Sequence, residues 1–141
     1  MTPDTLPSGP GTYILILQLE NDKRIQIAKL GQFRFPTGYY AYVGSAFGPG
    51  GLAGRLKHHL HPGKKLHWHI DYFLDKAEVK DVIFIKGKKE CKLSKNIKKL
   101  SMKTIEGFGS SDCKCSSHLF KFTFNPMKSQ KFIEVFKKNY F

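Results

Sequence analysis

The sequence predicts a small α+β domain, and three observations lead there. At 141 residues the chain is long enough to bury one core. The runs "GTYILILQL", "VKDVIFIKG" and "HLFKFTF" carry the β-branched and aromatic content of strands. Between and after them, "GLAGRLKHHLH", "KECKLSKNIKKL" and the C-terminal stretch repeat apolar residues at helical spacing.

Taken in order, residues 11–19 are nearly all apolar, as in a strand buried on both faces. "END" supplies a turn and "RIQIAKL" (24–30) alternates, so a hairpin over 11–30 is expected. Pro36-Thr37-Gly38 marks another turn, before a strand at about 39–44. A helix over 51–61 is stopped by Pro62-Gly63, with Leu52, Leu56 and Leu60 as its core stripe. Arg55 and His59, four apart, edge that stripe; Lys57, His58 and His61 fall on the opposite side. "HWHIDYFLDKA" (67–77) fits the helical template better than the strand template, with Ile70, Phe73, Leu74 and Ala77 on one stripe. A buried strand (79–87), a basic amphipathic helix (89–100), a Gly/Ser loop (107–117) and an alternating strand (118–124) follow. Asn125 caps and Pro126 starts a last helix that turns Phe132, Ile133 and Phe136 inward. Residues 1–10 read as a flexible tail on a single domain spanning 1–141.

The net charge of +13 makes nucleic acid the leading partner, because a basic surface concentrates and steers polyanions. The longest apolar runs are far too short to span a bilayer. No helix joins strong charge to a broad apolar face, which argues against a membrane surface. The N-terminus lacks the basic start and apolar stretch of a secretory signal, so a cytoplasmic location is expected. Three cysteines give no even disulfide framework and read as thiols or metal ligands.

Three candidate sites compete. "GPGGLAG" precedes a helix but lacks the lysine-serine/threonine ending of a P-loop and the GxGxxG spacing, so it reads as a turn. Cys91, Cys113, Cys115 and His118 form a candidate structural zinc set, although a buried structural thiol is the commoner outcome. The third candidate combines Tyr13, Tyr42, Arg55, His59 and Glu90. Together they offer a metal carboxylate, a cation for transition-state charge and groups that can move a proton, which is what phosphodiester hydrolysis needs.

"GTY" (11–13), "YVG" (42–44), the Arg55–His59 pair on the next helix and a downstream glutamate resemble the GIY-YIG nuclease superfamily. "GYYAYVGSA", "GGLAGRLKHH", "HWHIDY", "EC" (90–91), "GFGSSDCKC" and "SHLF" resemble more closely its Uri-like, DUF123-type subgroup, over residues 11 to about 124. The resemblance implies a small central, mainly antiparallel sheet flanked by helices, with an extra hairpin in the long stretch between the two tyrosine motifs. It also implies a metal-dependent endonuclease acting on DNA, in repair or processing, with one divalent ion, Mg2+ or Mn2+. On this reading Tyr13 is the general base or water-positioning group and Tyr42 a hydrogen-bonding partner. Arg55 binds the scissile phosphate, His59 assists proton transfer or holds Tyr13, and Glu90 holds the metal. Glu90 is preferred over Glu78 and Glu106 because it follows a buried strand and opens a helix. The threonine of "GTY" replaces an isoleucine common in the superfamily, a β-branched exchange that leaves the tyrosine untouched.

A tyrosine of pKa about 10 is almost wholly neutral at pH 7, so a base role would be helped by a downward shift of about 2–3 units, expected from Arg55 and the metal. Lys57, His58, Lys64, Lys65, His67, Lys95, Lys98 and Lys99 are expected on backbone phosphates, with His58 facing away from the chemistry. Two rival readings stay open: a nucleic-acid-binding module of the same fold without cleavage, and a zinc-stabilised binding domain.

Overall fold

The computed structural model describes residues 7, 9–61, 63, 65–66, 68–109 and 115–137. Its centre is a five-stranded antiparallel sheet made of β1 (Gly11–Leu19), β4 (Gly38–Ala46), β5 (Glu78–Ile85), β6 (Lys103–Thr104) and β7 (Leu119–Phe122). Across the sheet their order is β5-β1-β4-β7-β6. A separate two-stranded sheet pairs β2 (Lys23–Ile27) with β3 (Gly31–Phe35). Four helices complete the described chain: α1 (Gly51–Leu60), α2 (His69–Leu74), α3 (Glu90–Leu100) and α4 (Gln130–Phe136).

β1 is almost wholly buried because it has a hydrogen-bonded neighbour on each side and a packed layer on each face. Its odd-numbered residues Tyr13, Leu15, Leu17 and Leu19 join Tyr40, Tyr42, Leu52, Leu56, Ile70 and Phe73 in one core, so α1 and α2 cover that face. Ile14 and Ile16 point the other way, into a second core with Val43, Leu93, Ile97, Phe132 and Phe136 from β4, α3 and α4. The β2–β3 hairpin packs on the first face through Ile25, Ile27 and Phe35.

The expected hairpin over 11–30 does not form: β1 pairs with β4 and β5, and β2 pairs with β3 instead. Local alternation marks β2 as a strand but carries no information about its partner. The extra hairpin between the two tyrosines is present, as β2–β3. β5 is an edge strand whose first half is largely exposed, since only β1 flanks it. All four residues of β7 are buried instead of alternating, because β4 and β6 flank it. Leu60 is 37% exposed, so the α1 stripe ends at Leu56 and the buried His59 takes the place expected for it. Asn125 caps a 3-10 turn at Pro126–Lys128, and Ser129 then caps α4. Most of the expected N-terminal tail lies outside the described residues; its Gly9 carbonyl is fastened, accepting from the Leu52 N–H at 2.9 Å.

The register of β1 against β4 sets Tyr13 opposite Gly44 and Leu15 opposite Tyr42. The Tyr13 ring lies across Gly44 so closely that a Cβ there would fall on the ring. The glycine of "YVG" is therefore the seat of the tyrosine of "GTY". Gly11 is likewise confined, with a Cβ meeting the Ile85 carbonyl at 2.8 Å and Leu52 at 2.9 Å. Gly44→Ala is expected to cost about 1–3 kcal/mol through overpacking. Urea denaturation measures this, and an unchanged midpoint would show that the ring does not depend on the space above Gly44.

Candidate active site

Five of the residues singled out in the sequence converge from four elements. Tyr13 comes from β1, Tyr42 from β4, Arg55 and His59 from α1, and Glu90 from the first turn of α3. The Tyr13 and Tyr42 rings share one face of the sheet, with centroids 6.2 Å apart. The Tyr13 hydroxyl lies 2.7 Å from His59 Nε2. His59 Nδ1 lies 3.1 Å from Asp71 Oδ1. A carboxylate only accepts, so His59 carries its hydrogen on Nδ1, and its bare Nε2 accepts from Tyr13. The result is a directed chain, Tyr13 to His59 to Asp71.

Asp71 is the residue that the sequence reading missed. It is fully buried in α2, where its Oδ2 accepts from the Trp68 backbone N–H at 2.9 Å and lies 3.1 Å from His58 Nε2. At the third position of the helix this closes half of a capping box. A signal was available: in a helix Asp71 shares a face with Ile70 and Leu74, both buried. An aspartate on an apolar stripe needs hydrogen-bond donors, and the histidines of "KHHL" supply them.

His58, expected to face away from the site, is instead turned into it. α1 meets both the sheet and the start of α2, so the helix side opposite its sheet-facing stripe is also engaged. His58 contacts Asp71 and packs edge-on against Trp68, with centroids 5.0 Å apart. Arg55 lies over the other part of this cluster: its guanidinium sits 4.0 Å above the Trp68 ring and donates to the Ser45 carbonyl at 3.0 Å.

Electrostatically these groups form one site. Burial pushes the Tyr13 phenol well above its ordinary range; Arg55 opposes this by charge and a hydrogen bond, while Glu90 and Asp71 add to it. Tyr42 is raised too, chiefly by burial and further by Tyr13 and Glu90. The downward shift expected for Tyr13 is thus reversed among the protein groups, because desolvation of a buried phenolate outweighs one guanidinium. His59 is pushed below the usual imidazole range by burial, against the pull of Asp71.

The solvent-facing rim is made of half-buried Arg55 and His58 and of Glu90, whose side chain is 22% exposed. Glu90 fits a hard divalent cation: it is one partly hydrated carboxylate that leaves other positions to water and phosphate. His58, His59 and Asp71 place three ligand atoms within 4.8 Å, but these atoms already serve the buried hydrogen-bond network. Thr12 sets the position of Glu90. Its buried hydroxyl donates to the Gly87 carbonyl at 2.8 Å and accepts from the Lys89 N–H at 2.9 Å, fixing the entry to α3. The β-branched exchange in "GTY" thus adds a polar anchor that isoleucine lacks.

Lys57 is exposed on α1, and Lys65 is exposed in the segment between α1 and α2. Lys95, Lys98 and Lys99 are exposed on α3, which packs on the opposite face of the sheet. Lys64 and His67, and Cys113 of the candidate zinc set, lie outside the described residues. Among the described residues no helix is long and apolar enough to cross a membrane.

A family model described as "Domain of unknown function DUF123" matches residues 12–140. No curated protein and no solved structure matches the chain.

Burial holds His59, His69 and His118 below the ordinary imidazole range, His118 at about 4. In the unfolded chain these imidazoles bind protons below about pH 6.5, before the folded protein does. Stability is therefore expected to fall as pH drops from about 6.5 toward about 4. Urea midpoints across that range measure it, and His118→Gln should flatten the slope; a flat wild-type profile would show that these imidazoles charge in place.

Proposed function

The chain belongs to the DUF123 family, and we propose that it is a metal-dependent endonuclease of the GIY-YIG type that hydrolyses DNA phosphodiester bonds. The observation that carries this reading is the buried chain from Tyr13 through His59 to Asp71, with the Arg55 guanidinium beside Tyr13 and the Glu90 charge acting on the same phenol.

A buried phenol with a raised pKa makes a poor free phenolate, but it can relay a proton. The Tyr13 hydrogen is committed to His59, which leaves oxygen lone pairs to accept from an attacking water. As that water loses its proton to Tyr13, the Tyr13 proton passes to His59 Nε2, and Asp71 stabilises the imidazolium that forms. No isolated phenolate is needed at any point. Because Tyr13 is fully buried, this reading requires Arg55 to turn from the Ser45 carbonyl toward a bound phosphate, uncovering the hydroxyl. There the guanidinium neutralises charge growing on the phosphoryl oxygens. A divalent ion on Glu90 would supply Lewis-acid polarisation of the same group. The +13 charge and the exposed lysines support binding to the DNA backbone without sequence choice.

Cleavage of branched, nicked and single-stranded DNA with and without magnesium tests the reading. Glu90→Ala should abolish cleavage while DNA binding is largely kept, and Asp71→Asn should slow cleavage by about 10²–10⁴-fold. Absence of cleavage by the wild-type protein, with DNA still bound, would favour a binding module instead; cutting by Glu90→Ala at the wild-type rate would remove Glu90 as the metal ligand.

Contacts from about five lysines should also weaken DNA binding roughly 500-fold between 50 and 200 mM salt, from the counterion-release slope. A salt-independent affinity would remove the electrostatic basis of the reading.

A further inference from the structure

On the face of the sheet opposite Tyr13, a second group of side chains converges. Cys91 lies on the first turn of α3, Cys115 on the segment that leads into β7, and His118 immediately before β7. One ligand atom from each lies within 4.8 Å of the others. The two cysteines border a cleft of about 440 Å³, lined also by Ser94, Lys95 and Lys98. His118 is fully buried, and Ser94 Oγ lies 2.5 Å from its Nδ1. That contact orients the ring and turns Nε2 toward the α3 terminus, where Glu90 Oε1 lies 3.8 Å away.

We propose that Cys91, Cys115 and His118 form a zinc site that staples the start of α3 to the entry of β7. Two thiols and an imidazole suit a borderline-soft ion far better than magnesium. Bond lengths of about 2.3 Å to sulfur and about 2.0 Å to nitrogen imply ligand-to-ligand separations of about 3.5–3.8 Å in a tetrahedron. The separations all lie within 4.8 Å, so binding needs a contraction of at most about 1.3 Å, and the exposed Cys91 side chain has room to rotate. Ser94 fills the outer role usual for a ligating histidine, holding the nitrogen that does not bind metal. On binding, each cysteine gives up its thiol proton and the imidazole binds as the neutral ring, so one Zn2+ replaces two protons. This staple is separate from hydrolysis: it bears on how α3, and with it Glu90, is held.

The test uses the full-length chain, purified under reducing conditions. Elemental analysis should find one zinc per chain. Cobalt(II) added to metal-free protein should give the visible bands of a tetrahedral site together with a near-ultraviolet sulfur-to-metal band, and zinc should displace it. Cys91→Ser and Cys115→Ser should each weaken zinc binding at least tenfold and diminish the sulfur band. Since Cys91 is exposed, its variant remains informative even where His118→Gln fails to fold. Glu90→Ala should keep the sulfur band, which separates this site from the magnesium site proposed above. Absence of a sulfur band in the wild-type protein, its persistence unchanged in Cys91→Ser, or its loss in Glu90→Ala would each overturn the assignment. All these readouts are metal binding, so they stand or fall independently of DNA cleavage.

Discussion

A carboxylate removed from water governs the architecture of the candidate site. Burying an ionised aspartate costs several kcal/mol unless donors replace its hydration. Asp71 meets that demand through the Trp68 N–H and the imidazoles of His58 and His59. Those donors come from α1 and from the approach to α2, so satisfying one side chain fixes how two helices meet. The tautomer of His59 follows, and with it the direction in which the Tyr13 hydroxyl points. Trp68, held by the same aspartate, then offers its ring to Arg55. Position, tautomer and hydrogen-bond polarity across the cluster thus trace back to a single group.

β1 distributes the remaining work between the two faces of the sheet. Tyr13 enters the core under α1 and α2, while its neighbour Thr12 secures the loop from which α3 begins. Consecutive residues of one strand therefore anchor the proton chain and the entry to the helix that carries Glu90. This division suits a proposed site in which the acid–base groups are dry and the metal carboxylate is partly wet. Desolvation keeps the phenol protonated, whereas a cation needs water in its remaining positions.

Much of this was readable in the sequence. Strands and helices follow from periodicity, and the burial of β1 on both faces is evident in "YILIL". Resemblance to the GIY-YIG superfamily singles out Tyr13, Tyr42, Arg55, His59 and Glu90, and the fold brings these side chains together. What stayed hidden has physical reasons. Strand partnership depends on closure of the whole sheet, so the pairing of β1 with β4 and β5 leaves no local trace. A helical wheel assumes one partner surface, which is why His58 was turned outward and Asp71 overlooked. The direction of the Tyr13 shift depends on how much water the fold removes, which spacing along the chain does not encode.

The β2–β3 hairpin adds a broader consequence. It fills the chain between Tyr13 and Tyr42, yet it forms its own sheet and leaves the β1–β4 ladder unbroken over nine paired positions. Separation along the chain is thereby uncoupled from separation in space. The ladder, with Gly44 seating the Tyr13 ring, keeps the two phenols together however long the intervening excursion becomes. Such a connection is permissive in length and restricted in composition: Ile25, Ile27 and Phe35 pack in the same core as Tyr13, so any replacement segment has to cover that face with apolar side chains.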